Sequence, residues 1–562
     1  MYRKLGKLAA KNGARCVRRF KSCNACGVHL QSADRSKIGF YIAPKTSQRP
    51  QEHAQLQDLK ELKYLLFSQD LRTLQDENIL QHGGNIADRD RNATGAHSLP
   101  RDTRQIVCKR CSDALHQNRY EPHEFRAFSA AEVHDFVPQN ANVFHVVSLS
   151  QFPLHFNGAL FTDPNYSSAL LLSKGDLLTP DKAFLQRKAP RFFADFLKAK
   201  LGLPSSPKVV AFSATRSWNI QSVFSVLRGD SYLLGSPNSG KSTLVNSLLK
   251  KYGGAKVDSD ERGIDPATCQ YHSLREQGAG VSHIPNMTRN LQSYNIGNKT
   301  INDLPGFSEN VDEERLDEMV NAKVLERIRK THLFSKSKLV NQSYASVKGT
   351  DNGHCYTVSG LFYLVPPPNT INQVVNFIPG NEKQYRDIDK ALLVATQELS
   401  TSSSGTLKQY VGVKESLCRK ENFTRHVIPP FQGTVEIVLK DIGFLQLKAT
   451  GRYQFSGLYE IWVPKNVQVC VREPLARLIE TCYDNHLKSQ GSIPSFQDKR
   501  PVISLTYPME PDEKDVFSKM REMFLQRTQN EILSRQRISE DPKKVVAQLH
   551  REAPNLYWFY KW

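Results

Sequence analysis

Residues 235–242 have the types and the spacing of a phosphate-binding loop. Their sequence, Gly-Ser-Pro-Asn-Ser-Gly-Lys-Ser, follows a short apolar stretch that predicts a strand and precedes one that predicts a helix, which is the context that the motif requires. Backbone amides and the helix N-terminus would then cradle phosphates, with Lys241 reaching the β and γ phosphates and Ser242 binding Mg²⁺. The residues predicted to hold the nucleotide here are Gly235, Asn238, Gly240, Lys241, Ser242 and Thr243.

Downstream, Asp303 and Gly306 have the spacing of the magnesium-side aspartate and the γ-phosphate-sensing glycine of GTPases. Thr288, one of several threonines open to this role, is the candidate for a switch residue that closes on Mg²⁺. Phe307 stands where some GTPases have a water-positioning glutamine, so hydrolysis is expected to be slow without a partner. The candidate catalytic residues are Lys241, Thr288, Asp303 and Gly306, and the candidate magnesium ligands are Ser242, Thr288 and Asp303.

Upstream of the loop, residues 170–176 predict a strand that ends in a variant of the Asn-Lys-x-Asp guanine motif. Asp176 is expected to accept two hydrogen bonds from the guanine ring, and Lys174 is expected to lie across the base. Ser173 takes the place of the usual asparagine. This change leaves two interpretations open, a site that still selects guanine and a site that is weakened.

Residues 209–215 predict a second apolar strand, which ends in Ser213 and Ala214. The backbone amide of Ala214 is expected to contact the guanine carbonyl. Together with Asp176, the pair Ser213 and Ala214 makes an ATP-using P-loop enzyme the less favoured interpretation. In ordinary GTPases the base-reading motifs follow the phosphate loop, whereas here both precede it. A circular permutation gives this order and leaves the sheet and its pocket unchanged, because it alters only surface connections.

Four of the ten cysteines form two close pairs, Cys23 with Cys26 and Cys108 with Cys111. Each Cys-x-x-Cys spacing lets two thiolates point at one tetrahedral Zn²⁺, and two pairs would complete a closed structural site. About eighty residues separate the pairs, more than in common zinc ribbons, so the polar stretch 46–104 is predicted to be an insert. Four unrelated thiols are the alternative.

Charge and composition narrow the class of protein. A chain of 562 residues with a net charge of +20 allows two to four domains and favours a polyanionic partner, either nucleic acid or an anionic membrane surface. The first 22 residues contain eight basic residues and no acidic one, which is typical of a mitochondrial matrix presequence, with an RNA-binding arm as the alternative. No apolar run is long enough to span a bilayer, so the chain is expected to be soluble or peripheral.

Beyond residue 340 the sequence predicts a β-rich region. Ser400 to Gly405 predicts a flexible crossing, and the chain from Asp512 predicts a helix. Most aromatic side chains of this region are expected in the core, with base stacking as the alternative, and the aromatic end 556–562 is expected either to pack on the domain or to contact a partner or membrane. The predicted strands are 356–364, 434–439, 443–448, 458–463 and 467–471.

The permuted motif order, the preceding Cys-x-x-Cys module and the long C-terminal region together resemble the YqeH-type GTPases, and segments 359–364 and 441–447 resemble their C-terminal domain. The basic N-terminus and polar insert look most like the fungal mitochondrial branch, the genetic interactor of prohibitins family. The resemblance implies assembly of the small mitochondrial ribosomal subunit, and the family name implies a link to prohibitins and mitochondrial lipid metabolism. Related proteins carry an aspartate where residues 146–150 read Val-Val-Ser-Leu-Ser, and this departure, like Ser173, favours a weaker nucleotide site.

The sequence therefore predicts an α/β, circularly permuted P-loop GTPase domain, preceded by a zinc module and followed by a β-rich α+β domain. The predicted function is a mitochondrial slow GTPase that uses GTP, Mg²⁺ and structural Zn²⁺ and binds the rRNA of the small mitochondrial ribosomal subunit in the matrix. The alternative is an interaction protein with a degenerate nucleotide site, linked to prohibitins and lipid metabolism at the inner membrane. The predicted boundaries are 1–22 for the presequence, 23–112 for the zinc module with its insert, 113–335 for the GTPase domain and 336–562 for an RNA- or partner-binding domain.

Overall fold

The computed structural model describes residues 22–41, 107–252, 278–308, 316–401, 412–450, 457–496 and 502–526, with short gaps inside several of these ranges. The predicted presequence up to residue 21, the polar insert 46–104, most of the helix predicted from Asp512 and the aromatic end 556–562 lie outside the described residues. Within the described part of the chain, no helix is both long enough and apolar enough to cross a membrane.

Six strands form the first sheet, in the order β3-β2-β1-β4-β6-β5. All neighbouring strands are parallel except the pair β5 and β6. The chain passes from β1 to β2 on one side and returns as β4 on the other side, so the carboxyl ends of β1 and β4 form a topological switch point, where open α/β sheets bind ligands. The strands are β1 (Asn142–Ser148), β2 (Ser167–Ser173), β3 (Val209–Ala211), β4 (Asp230–Leu234), β5 (Gln292–Ile296) and β6 (Lys299–Asp303).

Helices cover both faces of this sheet, which explains why β1, β2 and β4 are apolar and buried along most of their length. On one face, Phe192 and Phe196 pack against Leu170. On the other face, Leu244 and Val245 pack against the opposite side of the strands. The helices of this part of the chain are α1 (Lys109–Gln117), α2 (Ala130–His134), α3 (Gly158–Phe161), α4 (Ala189–Leu201), α5 (Ile220–Val226), α6 (Lys241–Tyr252), α7 (Leu316–Met319) and α8 (Ala322–Lys330).

The β-rich region contains two antiparallel six-stranded sheets, in the orders β13-β10-β11-β17-β14-β20 and β19-β18-β15-β16-β12-β9. Side chains from both sheets, including Leu364, Ile461, Ile437 and Leu445, form one buried core. The two-stranded pair of β7 (Phe334–Ser335) and β8 (Lys338–Leu339) precedes them. The remaining elements are β9 (Ser343–Lys348), β10 (Cys355–Val358), β11 (Tyr363–Val365), β12 (Ile371–Asn376), β13 (Glu382–Tyr385), α9 (Ile388–Thr401), β14 (Phe423–Ile428), β15 (Thr434–Leu439), β16 (Gly443–Thr450), β17 (Tyr459–Pro464), β18 (Val469–Arg472), α10 (Leu475–Lys488), β19 (Ile503–Leu505) and β20 (Tyr507–Met509).

Helix α10 belongs to the C-terminal half of the chain but packs on the first sheet's helical layer. Leu478 and Ile479 join the cluster that contains Phe192. Beyond the helix, Asp195 accepts hydrogen bonds from the backbone N–H and the hydroxyl of Ser495, both at 2.7 Å. The two halves of the chain therefore share a core.

Two details differ from the sequence predictions. The segment 356–364 is two strands and not one, because Ser359 (φ 50°) and Gly360 (φ 68°) take left-handed conformations that turn the chain between β10 and β11. The flexible crossing predicted from Ser400 begins inside α9, which extends to Thr401. The aromatic side chains Phe362, Tyr363 and Trp462 are buried, as expected of core residues.

Candidate phosphate-binding site and cysteine cluster

The loop 235–242 connects β4 to α6 at the switch point of the sheet. Asn238 (φ 57°) and Gly240 (φ 99°) turn the backbone through left-handed conformations. The ammonium of Lys241 donates hydrogen bonds to the carbonyl oxygens of Gly235 and Ser236, at 2.8 and 3.1 Å. Burial lowers the pKa of Lys241 to about 8, against the opposing effect of Asp303. A buried cation so placed is suited to an anionic ligand such as a phosphate.

Ser242 and Asp303 meet beneath the loop, although they are 61 residues apart in the chain, with the serine hydroxyl donating to Asp303 Oδ2 at 2.6 Å. The other carboxylate oxygen, Oδ1, is buried and has no hydrogen-bond partner among the described residues. Burial raises the pKa of Asp303, while Lys241 and Ser242 lower it. A hydroxyl beside a carboxylate oxygen that lacks a partner fits a hard divalent cation such as Mg²⁺.

Two glycines allow close approaches around the loop. A Cβ on Gly306 would lie 2.9 Å from both the Cα and the backbone nitrogen of Pro237, and a Cβ on Gly235 would lie 2.3 Å from the carbonyl oxygen of Val146. The segment after Asp303 therefore packs directly on the phosphate loop, and the loop packs directly on β1. Thr243 lies half-buried in the first turn of α6.

Ser173 ends β2 and ties it to the phosphate loop. Its hydroxyl donates to the carbonyl oxygen of Ser239 at 2.5 Å and lies 3.2 Å from that of Val147. Lys174, the next residue, has a left-handed backbone (φ 54°). Burial, with a contribution from the charge of Arg329, lowers the pKa of Lys174 to about 8. The serine thus links the turn after β2, which the sequence predicts to read the base, to the loop, in the place where the usual motif has asparagine.

Asp176 is buried beside the turn that follows β3. Thr215, a residue that the motif search did not single out, donates its hydroxyl to Asp176 Oδ2 at 3.2 Å. Ser213 Oγ lies 3.1 Å from Thr215 Oγ1 and accepts a hydrogen bond from the backbone N–H of Arg216 at 3.1 Å. The structure therefore brings Asp176 and the turn with Ser213 and Ala214 together at one edge of the sheet.

Thr288 is buried, and the segment around it is joined to the N-terminal module. The backbone N–H groups of Arg289 and Asn290 donate to the carbonyl oxygen of Cys26, at 2.9 and 3.2 Å. Met287 packs in the cluster that contains the cysteines. Of the motif that surrounds Thr288, residues 282 and 283 lie outside the described residues. The role of Thr288 at a magnesium ion stays a prediction.

The four cysteines of the two pairs form one buried cluster, although 82 residues separate Cys26 from Cys108. All four sulfur atoms lie within 4.8 Å of one another, and Cys26 Sγ is 4.0 Å from Cys108 Sγ. Tetrahedral Zn–S bonds of about 2.3 Å place two sulfurs roughly 3.8 Å apart, so the cluster fits one zinc ion. Hydrogen bonds within the cluster lower the pKa of Cys23 and Cys108 and raise that of Cys26 and Cys111.

A turn of the C-terminal region faces the phosphate loop, a position that the sequence did not predict although segment 441–447 resembles the C-terminal domain of YqeH-type GTPases. The carboxylate of Asp441 accepts a hydrogen bond from Arg329 at 3.0 Å. The backbone N–H of Asp441 donates to Gln151 Oε1 at 2.9 Å. Arg472 pairs with Glu436 at 2.8 Å in the core and donates to two backbone carbonyls just after β1. These contacts hold the β15–β16 turn against the end of β1.

The sequence was compared with those of known proteins. Profiles described as the N-terminal and C-terminal domains of genetic interactor of prohibitins 3 match residues 22–125 and 342–548. A relative from Lachancea thermotolerans, "Genetic interactor of prohibitins 3, mitochondrial", is 53% identical over 544 residues, which are 97% of this chain and 96% of the relative. A relative of the same description from Saccharomyces cerevisiae strain S288c is 40% identical over 550 residues, which are 96% of each chain.

Among solved structures, GNP-bound YlqF from T. maritima matches 35% of this chain and 61% of its own, with 14% identity and a TM-score of 0.19. The sequence relatives are similar over nearly their whole length and are described as mitochondrial. The chain is therefore a mitochondrial protein, and it belongs to the genetic interactor of prohibitins 3 family.

Proposed function

We propose that the chain binds a guanine nucleotide with Mg²⁺ and hydrolyses GTP slowly. The observation that carries the proposal is the meeting of Lys241, Ser242 and Asp303 at one loop that Ser173 ties to the base-side turn. Asp176 lies at the same edge of the sheet, where it would read the guanine ring. The hydrogen bond from Ser173 to the loop supports a site that stays organised without the usual asparagine.

The proposed domain is a circularly permuted GTPase with the boundaries that the sequence predicts. Along the chain, the base-side turns after β2 and β3 come first, the loop after β4 comes next, and Asp303 at the end of β6 comes last. These segments follow strands of one sheet, in the spatial order β3-β2-β1-β4-β6, and these five strands are all parallel. That arrangement supports a permutation, since changing the surface connections leaves the pocket in place.

Calorimetry on the purified full chain with Mg²⁺ tests the proposal. GTP and GDP are expected to bind and ATP is not, and Lys241→Ala is expected to weaken binding about tenfold or more, because it removes a charged hydrogen-bond donor to phosphate. Lys250→Ala is the matched control, since Lys250 is exposed on the same helix. Absence of nucleotide binding to the unmodified chain contradicts the proposal.

The proposed cellular role is assembly of the small mitochondrial ribosomal subunit in the matrix, through contact with its rRNA. The net charge of +20 supports a polyanionic partner. By linkage, a GTP-dependent RNA affinity requires an RNA-dependent GTP affinity of the same ratio. Filter binding of small-subunit rRNA with GTP and with GDP measures this ratio, and equal affinities in the two nucleotide states contradict a nucleotide-driven role.

In a second candidate function, the chain acts as an interaction protein, linked to prohibitins, in mitochondrial lipid organisation. Its nucleotide site would then be degenerate. The relatives' name supports this function, and so does the C-terminal region packed on the end of β1 where related proteins carry an aspartate. This role predicts that cells carrying Lys241→Ala keep the protein's function. Loss of function in such cells, with normal protein abundance, favours the GTPase.

A further inference from the structure

A cavity of about 120 Å³ separates the phosphate loop from the C-terminal region. Ser236, Pro237 and Asn238 of the loop line it, together with Arg329 of α8 and Lys440 of the β15–β16 turn. A single water needs roughly 10–15 Å³ of such space, so the cavity has room for a polyatomic group. Phe307, which follows Asp303 and Gly306 in the chain, also lines the cavity.

Buried hydrogen-bond donors that line this cavity have no partner among the described residues. They are Nδ2 of Asn238 and Nε of Arg329, and the two ring nitrogens of His155, which also lines the cavity, lack a hydrogen-bond partner within the described part of the chain as well. Leaving buried donors unpaired is costly, and native proteins rarely do so without a ligand or a water. One lining acceptor, Oδ1 of Asn286, is also unpaired. Unpaired donors from both the loop and α8, one of them cationic, indicate a ligand that accepts hydrogen bonds.

Asp441 positions the guanidinium of Arg329. Its Oδ1 accepts from Arg329 Nη1 at 3.0 Å and lies 3.3 Å from Nε2 of His155. Arg329 and His155 hold the pKa of the Asp441 carboxyl well below its usual range, although burial opposes them. The carboxylate therefore stays charged and engages Nη1 of the guanidinium, while Nε has no hydrogen-bond partner among the described residues. Lys440 adds a second cation, which donates to Gln468 at 3.2 Å.

We propose that this cavity binds a phosphate-type anion, the terminal phosphate of a nucleoside triphosphate held by the loop, with Arg329 as its main cation and Asn238 as a second donor. The inference rests on the proposed guanine-nucleotide function and adds to it a residue from outside the nucleotide motifs. Arginine matches phosphate oxygens in a planar, charge-assisted geometry. Because Asp441 also holds the β15–β16 turn against Gln151, occupancy by the terminal phosphate would be communicated to the C-terminal region.

The test compares a non-hydrolysable GTP analogue with GDP by calorimetry on the full chain. Arg329→Gln is expected to weaken the triphosphate about tenfold or more and to leave GDP within about twofold, because GDP has no group in the cavity. Lys323→Gln, an exposed change on the same helix, is expected to alter neither affinity. Equal losses for both nucleotides, or no loss for either, overturn the proposal.

Two further measurements separate the possible failures. Arg329→Lys keeps the charge and is expected to recover part of the triphosphate affinity, and unchanged GDP binding shows that a variant is folded. If the unmodified chain binds neither nucleotide, the proposed function fails. Thermal unfolding with inorganic phosphate then tests the cavity as a separate anion site. Thermal stabilisation by phosphate that Arg329→Gln abolishes supports a site for the free anion, and absence of stabilisation overturns the site.

Discussion

The cysteine cluster and the phosphate loop both gather buried polar side chains from distant parts of the chain, and they differ in what those side chains face. In the cluster, the four sulfurs face one another within 4.8 Å and all four residues are buried. At the loop, Asp303 Oδ1 and Asn238 Nδ2 are buried without a hydrogen-bond partner among the described residues. The first arrangement is closed, as structural metal sites are. The second is open towards ligands.

The two sites are also physically joined. The backbone carbonyl of Cys26 holds the segment that carries Thr288, and Asn246 of α6 exchanges two hydrogen bonds with the backbone of Ala279, at 2.7 and 2.9 Å. A closed structural site thus supports one side of an open one. Stability and ligand binding should therefore respond differently to changes at the two sites, and changes between the sites should affect both.

The largest expected effect comes from opening the closed site. Cys108→Ser removes one of four ligands of the proposed zinc ion, whose binding contributes about 10–16 kcal/mol in zinc-finger peptides. We expect loss of bound zinc and a thermal transition at markedly lower temperature, measured by elemental analysis and calorimetry. Cys482→Ser, on α10 and outside the cluster, is the control. One zinc per chain in the Cys108→Ser protein would contradict a four-cysteine site.

A change at the junction should affect both sites and is expected to be smaller. A Cβ on Gly280 would lie 2.4 Å from the Cα and 2.7 Å from the Cβ of Ala25, so Gly280→Ala should cost about 1–3 kcal/mol of folding free energy. We expect zinc content to be kept and nucleotide affinity to fall, because the Thr288 segment is displaced. Gly229→Ala is the control, since its added Cβ meets nothing within 4 Å. Unchanged nucleotide affinity in Gly280→Ala would show that the sites are independent.

Local sequence patterns predicted much of the part of the chain that forms the first sheet. Each motif directly follows an apolar stretch that predicts a strand. The sequence alone therefore indicated that Lys241 follows one strand, now β4, and that Asp303 ends another, now β6, at one edge of the sheet. The parallel pairing of β1 with β4 then follows from the usual geometry of such sheets. The predicted strand 434–439 also coincides with β15, because a β-branched run flanked by turns is a local signal.

The charged residues opposite the loop were not predictable in this way. Arg329 and Asp441 are 112 residues apart. Asp441 begins the segment 441–447 that resembles the YqeH C-terminal domain, but this resemblance gave no contact with the loop, since the roles of both residues depend on how the C-terminal sheets pack on β1. Helix α10 was predictable but missed. Its buried Leu475, Leu478 and Ile479 have helical spacing. Where this helix packs follows only from the tertiary fold.

Ser173 tests how the open site keeps its shape. Ser173→Ala removes the donor to the Ser239 carbonyl and should cost about 1 kcal/mol, seen as a roughly fivefold weaker nucleotide affinity. Ser173→Asn restores the residue that is usual in the guanine motif and is expected to retain binding. Ser225→Ala is the control, because its hydroxyl donates to the carbonyl oxygen of Ser222 in an exposed turn of its own helix. Nucleotide affinity that survives Ser173→Ala would show that the loop does not depend on this contact.

The smallest expected effect is a pH dependence that belongs to the open site alone. Burial lowers the pKa of Lys241 to about 8, and phosphate oxygens beside the ammonium would raise it in the complex. The complex then binds more protons than the free protein as the pH passes 8, so affinity falls as the pH rises. We expect a loss of about twofold between pH 7 and pH 8, and proton uptake in calorimetry with buffers of different ionisation enthalpy. Lys241→Ala should lack both signals, and zinc content should not change over this range. A pH dependence that persists in Lys241→Ala would assign the titration to another group and leave the ammonium without a measurable part in binding.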